Sequence, residues 1–220
     1  MIVEADLFDK DIDELTEQEM IFVHLSTSYA PIIVKNNLLR STLCFIHQNI
    51  THAIHYDYSK QLIPYIGLCA MLEQLGTCYD RVDKPEPKFG NNLKRALVNF
   101  GNLEEEDELI DIIYALRNGL LHNVSLTTFD RKKNKYYLFR YNSNIEEVYR
   151  KSNIEWDGNY DTLDGAVNDY TSSINVEKFK DLVFSCVALA HELNQISYLK
   201  LRLSGGIKQL YFDYIRSVKK

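Results

Sequence analysis

Apolar positions recur at three- and four-residue spacings along most of the chain, the pattern of helices that bury one face. From Leu15 to about Tyr58 the pattern is helical, and Pro31 is expected to open a new helix at its first turn. In that helix Ile33, Leu38, Leu39, Leu43, Ile46, Ile50, Ala53 and Ile54 form an apolar stripe. A second helix is expected from about Gln61 to Tyr79. Asp83-Lys84-Pro85-Glu86-Pro87 then breaks it, because proline disfavours helix in the residue before it. After a short piece near 93–100, another helix is expected to begin around Leu103, with Glu104, Glu105, Glu106 and Asp107 at the positive end of its dipole. Leu109, Ile112, Ile113, Leu116 and Leu120 fill one of its faces.

The period changes after His122. Leu126 to Asp130 and Lys135 to Tyr141 are rich in Thr, Tyr and Phe and flank Arg131-Lys132-Lys133-Asn134, which reads as a β-hairpin with a basic turn. Residues 152–173 are polar and turn-rich, a long loop by composition. A helical period resumes from Val176 to Leu203 through Phe179, Val183, Val187, Ala190, Leu193 and Ile196; Gly205-Gly206 ends it and a short terminal helix follows. The expectation is one mainly α domain over 1–220, with a charged lead-in at 1–12 and a hairpin-and-loop insertion at about 125–173. Its core should include Leu109, Ile112, Ile113, Leu116, Leu120, Phe179, Val183, Val187 and Leu193.

Composition narrows the function classes. A 45% hydrophobic share supports a sizeable core, and a formal charge of -6 excludes a broadly basic nucleic-acid coat while leaving room for a local basic groove. Cys44, Cys69, Cys78 and Cys186 are scattered without zinc-like spacing, so reduced, mostly buried thiols are expected. The acidic start MIVEADLFDKDIDE does not resemble a signal peptide, and no apolar run has the length of a membrane span. The expected compartment is the cytoplasm, with no membrane partner.

Several metal and nucleotide motifs fail on spacing. His191-Glu192 lacks a second histidine four residues on, where Gln195 stands. No Glu stands three residues before any His, and neither a phosphate-binding glycine loop nor a G-x-S-x-G elbow occurs. His52 and His55 can share a helix face, yet no third ligand is evident near them or His47. No metal and no cofactor are expected.

The stretch Arg117-Asn118-Gly119-Leu120-Leu121-His122 combines a fixed cation, an amide and an imidazole. The bare spacing is weak evidence: nine Arg and six His in 220 residues give about 0.7 chance matches, and Arg40 with His47 is one. Context favours Arg117, which is followed by Asn118 and Gly119, whereas Arg40 is read as mid-helix. On a helix Asn118 and His122 share a face, while Arg117 and His122 lie about 140° apart and converge only if the Arg side chain swings into a cleft with another helix. Gly119 lowers helix propensity by about 1 kcal/mol, which close approach of a backbone or ligand would explain. The plainer alternative is an ordinary helix end, with Arg117 paired to an acid.

The string Ile113 to Asn123 resembles the motif helix of HEPN domains, which carry Arg, a polar residue that is often Asn, a few further residues and then His. The likeness is specific over about eleven residues. It implies a mainly α, HEPN-like helical bundle, with the small β-hairpin as an insertion after the motif helix. It also implies a homodimer whose two motifs share a cleft. Active members of that family are metal-independent ribonucleases, often toxins or antiviral effectors; others are silent and bind nucleotide, RNA or a protein. Carried over, Arg117 would hold the scissile phosphate, Asn118 would orient the imidazole or contact phosphate, and His122 would act as general acid or base. RNA is then the expected partner, with an antitoxin or nucleotidyltransferase as a second. The basic turn, Arg131, Lys132, Lys133 and Lys135, is a weaker RNA-binding candidate beside Tyr136, Tyr137, Phe139 and Tyr141.

Overall fold

A computed structural model describes residues 2–220. Thr16 caps the first helix, α1 (Glu17–Leu25): its hydroxyl accepts from the Glu19 backbone while the Glu19 carboxylate accepts from the Thr16 backbone at 2.9 Å. From Glu19 to Leu25 every residue of α1 is buried, so it is an interior helix.

The chain then departs from the helical expectation. Pro31 opens no helix; Ile32–Val34 is a strand (β1) that turns back through Lys35 and Asn36 into β2 (Asn37–Ser41). Three consecutive β-branched residues before a polar two-residue turn favour a hairpin over a helix. The three- and four-residue spacing is real only from Leu43, because the helix α2 (Thr42–Ala53) starts where the Ser41 hydroxyl accepts from the Cys44 backbone. His55 lies beyond its end.

Helix α3 (Ile63–Cys78) is the axis of the molecule, packing on α2, on α4 (Asn92–Phe100), on α5 (Glu108–Asn123) and on α7 (Val176–Gln195). The strand β3 (Tyr79–Arg81) follows it directly. The helix α5 starts at Glu108 rather than Leu103: the Asp107 side chain accepts from the Leu109 backbone, so Glu104 to Glu106 precede the helix instead of forming its first turn.

The expected hairpin exists as β4 (Thr127–Asp130) and β5 (Lys135–Tyr141), but it is half of a larger sheet. The strands β6 (Tyr149–Arg150) and β7 (Ser172–Ile174) complete it in the order β4-β5-β7-β6, with β5 and β7 parallel. The region 152–173 is therefore not simply a loop; it holds the short helix α6 (Val167–Tyr170) and most of the parallel return to β7. The helix α7 ends at Gln195, eight residues earlier than expected, and the strand β8 (Leu199–Leu201) pairs with β3. After α8 (Gly206–Tyr214), the strand β9 (Ile215–Lys219) closes against β2.

The fold class expected from the sequence is thus overturned. Among the described residues the chain has eight α-helices and three sheets, 50% helix and 16% strand, a mixed α/β fold rather than a helical bundle with one hairpin. The core expectation fares better: Ile112, Ile113, Leu116, Leu120, Phe179, Val183, Val187 and Leu193 are all buried, and only Leu109 is half-exposed. All four cysteines are buried and free, and among the described residues no helix is long and apolar enough to cross a membrane.

Candidate functional site

The C-terminal half of α5 is where the sequence and the geometry meet. The helix ends in a left-handed residue that is not glycine: Val124 has φ 50°, and the Val124 and Ser125 backbone N–H groups return to Leu120 and Gly119 at 3.1 and 3.0 Å. A β-branched residue in that region is strained. Gly119 is explained by the same turn, since a Cβ there would lie 2.7 Å from the Ser125 carbonyl oxygen. Its lost propensity therefore reflects close approach of backbone.

Arg117 leaves the helix and swings across to α3. Its Nε donates to a Glu73 carboxylate oxygen at 2.6 Å. One Nη then donates to Asn118 Oδ1 and to His122 Nε2, each at 3.1 Å. The long side chain spans the 140° that separate Arg117 from His122 on the helix surface, and α3 supplies the wall it crosses to. Arg117, Asn118 and His122 therefore meet within one chain. The Arg117 side chain is 19% exposed and that of Glu73 29%, whereas His122 is exposed.

Guanidinium has donors and no acceptor, so the contact with His122 fixes the imidazole tautomer: Nε2 holds the lone pair and Nδ1 the proton. A half-shielded ion pair such as Glu73–Arg117 is worth on the order of 1 kcal/mol to stability. Its main consequence is geometric, since it pins Nε and leaves the Nη groups to turn outward. Glu73 was not anticipated from the sequence. The available signal was its isolation, for it is the only charged residue in the sixteen of α3.

The basic turn does something other than expected. Lys133 pairs with Asp111, which also takes Lys94, and this double pairing holds the Asp111 carboxyl below its usual range against the opposing effect of burial. Lys135 sits 3.6 Å from Glu108 and 3.3 Å from Glu155, with its ammonium over the Tyr137 ring. The hairpin runs back along α5, so Lys133 docks at a residue about 16 Å along the helix axis from His122. Only Arg131 and Lys132 of the turn remain exposed without a carboxylate partner among the described residues. The turn and the Arg117 cluster are separate places.

The chance match at Arg40 and His47 does not assemble. Arg40 is on β2, not mid-helix, and donates to the Tyr29 carbonyl. His47 lies on α2 stacked on Phe184 with ring centroids 4.0 Å apart, and burial lowers its pKa. A further histidine, His24, is fully buried between Tyr79 and Gln74. Among the described residues no three His, Cys, Asp or Glu side chains are grouped closely enough to hold a metal ion.

Comparison of the chain with protein-family models, curated proteins and solved structures finds no match. The functional reading therefore rests on the chemistry of this site.

Proposed function

We propose that the chain is a metal-independent endoribonuclease that cuts single-stranded RNA at the C-terminal end of α5. The observation that carries the reading is the 3.1 Å contact between an Arg117 Nη and Nε2 of the exposed His122. A phosphate anion competes for that guanidinium, because a charge-assisted contact to oxygen is stronger than one to a neutral imidazole. As the guanidinium turns to the phosphate, the Nε2 lone pair of His122 becomes free to accept a proton.

The chemistry then needs little more. RNA supplies its own nucleophile: His122 Nε2 takes the proton of the 2′-hydroxyl, the 2′ oxygen attacks phosphorus, and the bond from phosphorus to the 5′ oxygen breaks. The departing 5′ oxygen takes a proton from solvent and His122 afterwards releases its own to solvent, leaving a 2′,3′-cyclic phosphate and a 5′-hydroxyl. Arg117 neutralises charge on the equatorial oxygens, where it is worth most in the transition state. Glu73 and Asn118 hold the guanidinium, and the motif's resemblance to the HEPN helix supports the same roles.

The resemblance also implies a homodimer, in which a second copy of the exposed His122 face would complete the cleft. Within one chain α3 already provides the wall that Arg117 crosses to, so the cluster assembles without a second protomer. Light scattering at micromolar concentration decides it. A toxin or antiviral role, and an antitoxin or nucleotidyltransferase partner, follow from the resemblance alone.

A second reading has its own observation. Glu73 engages Arg117 and leaves it 19% exposed, the acid pairing expected of an ordinary helix end and of a domain that does not cut. Incubation with single-stranded RNA in EDTA separates the two. The proposed activity yields fragments ending in a 2′,3′-cyclic phosphate; binding without fragments replaces it with the silent reading.

A further inference from the structure

A groove on the other flank of the same helix end has the features of a track for single-stranded RNA. Its two lobes, about 480 and 380 Å³, share Gln61 and Tyr141. The first is walled by Leu120 and Val124 of the α5 terminus and carries Arg140 on its rim. Arg140 is exposed and donates to the Phe139 carbonyl at 2.8 Å. Unlike Lys133 and Lys135 it meets no carboxylate within ion-pair distance among the described residues. It is a cation left unneutralised in a protein of net charge -6.

The Tyr141 ring is half-buried and stacked on the buried Tyr65, with centroids 4.3 Å apart and planes 16° from parallel. That stack pre-orients it. Burial pushes its phenol up to about 12, so the ring meets a ligand neutral. The second lobe carries Lys60, paired with Asp57 at 2.7 Å, and Glu177, paired with Lys180 at 2.5 Å, so of the charged side chains lining the two lobes only Arg140 lacks an opposite partner among the described residues. A polyanion in the groove therefore places its phosphate at Arg140 and a base or sugar beyond Tyr141. His122 and Leu120 are two residues apart, about 160° around the helix by the shorter way. A strand touching both must pass over the helix end at Val124, an exposed apolar residue held in a left-handed conformation.

We infer that this groove, with Arg140 as the phosphate contact and Tyr141 as the base-packing ring, carries the RNA strand adjoining the bond presented to His122. The inference rests on the ribonucleolytic reading for its choice of ligand, but its test is binding and not cleavage. Arg140, rather than the hairpin tip, is then the cation that contacts RNA.

The experiment measures the affinity of a fluorescently labelled short single-stranded RNA for full-length His122→Ala protein by anisotropy, across a salt series. Adding Arg140→Ala, at an exposed position, should weaken binding about tenfold and reduce the slope of log affinity against log salt by about 0.7. Arg131→Ala with Lys132→Ala should change binding less than about twofold. Unchanged affinity in Arg140→Ala, or a loss confined to the hairpin-tip variant, overturns the groove and leaves the catalytic reading standing. Binding that depends on Arg140, in a protein whose wild type cuts nothing, keeps the groove and removes the catalytic reading. If the His122→Ala parent and wild type bind no RNA at all, both fall together.

Discussion

Two polar clusters centred on histidine, one inside the protein and one at its surface, show what burial does to the same side chain. His24 is fully enclosed. Its Nδ1 lies 2.5 Å from the Tyr79 hydroxyl and its Nε2 3.0 Å from the Gln74 amide, which also donates to Thr42 at 2.9 Å. Both ring nitrogens are satisfied by neutral groups, and burial lowers its pKa to about 3. His122 has one nitrogen on a guanidinium and the rest of its ring at the surface. The inner cluster is closed and can only support the fold. The outer one is shared between an acid, an amide and an imidazole, and a competing anion can rearrange it.

The largest effects should fall on the outer cluster. His122→Ala is expected to slow RNA cleavage by about 10²–10⁴-fold, with thermal stability nearly unchanged because the side chain is exposed. Arg117→Ala should be comparably damaging, whereas Arg117→Lys should recover only part, since an ammonium lacks the planar fork. His24→Leu should do the reverse. It leaves the Tyr79 hydroxyl without a partner and the Gln74 amide with Thr42 alone, lowering stability by about 1–3 kcal/mol in a denaturant melt, while cleavage by the folded protein persists. Equal loss of cleavage in both variants would erase the distinction between the clusters.

Acid sharpens the comparison further. An unfolded His24 binds a proton near pH 6.5, and the native one refuses it until about pH 3. The unfolded state therefore binds more protons across that window, so the stability contributed by neutral His24 is complete above about pH 6.5 and lost as pH falls toward 3. The loss should steepen toward about 1.4 kcal/mol per pH unit and be absent in His24→Leu. A parallel acid slope in both proteins would assign the sensitivity to other groups.

A smaller effect probes how the outer cluster is held. Gly119→Ala gains about 1 kcal/mol of helix propensity but drives a Cβ to 2.7 Å from the Ser125 carbonyl. The obstacle is backbone, so the clash should dominate and cost about 1–3 kcal/mol. A stabilised Gly119→Ala would show that the turn after α5 can relax freely.

The sequence made the helix faces legible where one face meets the core for several turns. Leu116, Leu120, Phe179 and Val183 are buried as their spacing requires. It misled where short apolar runs fit either period. Ile32-Ile33-Val34 looks like the start of a helical stripe until its β-branched composition and the turn after it are weighed. Strands contributed by distant segments, such as β9 against β2 or β7 beside β5, left no local signal, because their pairing depends on contacts far apart in the chain. The candidate site was legible in the same uneven way. Arg117, Asn118 and His122 were readable along one helix, but Glu73 reaches them across 44 residues. The lysines of the basic turn read as free charge because their partners, Asp111 and Glu108 on α5 and Glu155 beyond the hairpin, lie far off in sequence.

The central claim is that Arg117 and His122 work as one unit within the site. It is tested most directly by single-turnover RNA cleavage in EDTA with Arg117→Ala, His122→Ala and the double variant, beside Arg40→Ala as the chance match. Residues that act together are strongly non-additive. The double variant should therefore be no slower than the worse single, with both singles down about 10²–10⁴-fold and Arg40→Ala near wild type. Full activity in His122→Ala, or an Arg40→Ala loss as large as that of Arg117→Ala, would contradict the account.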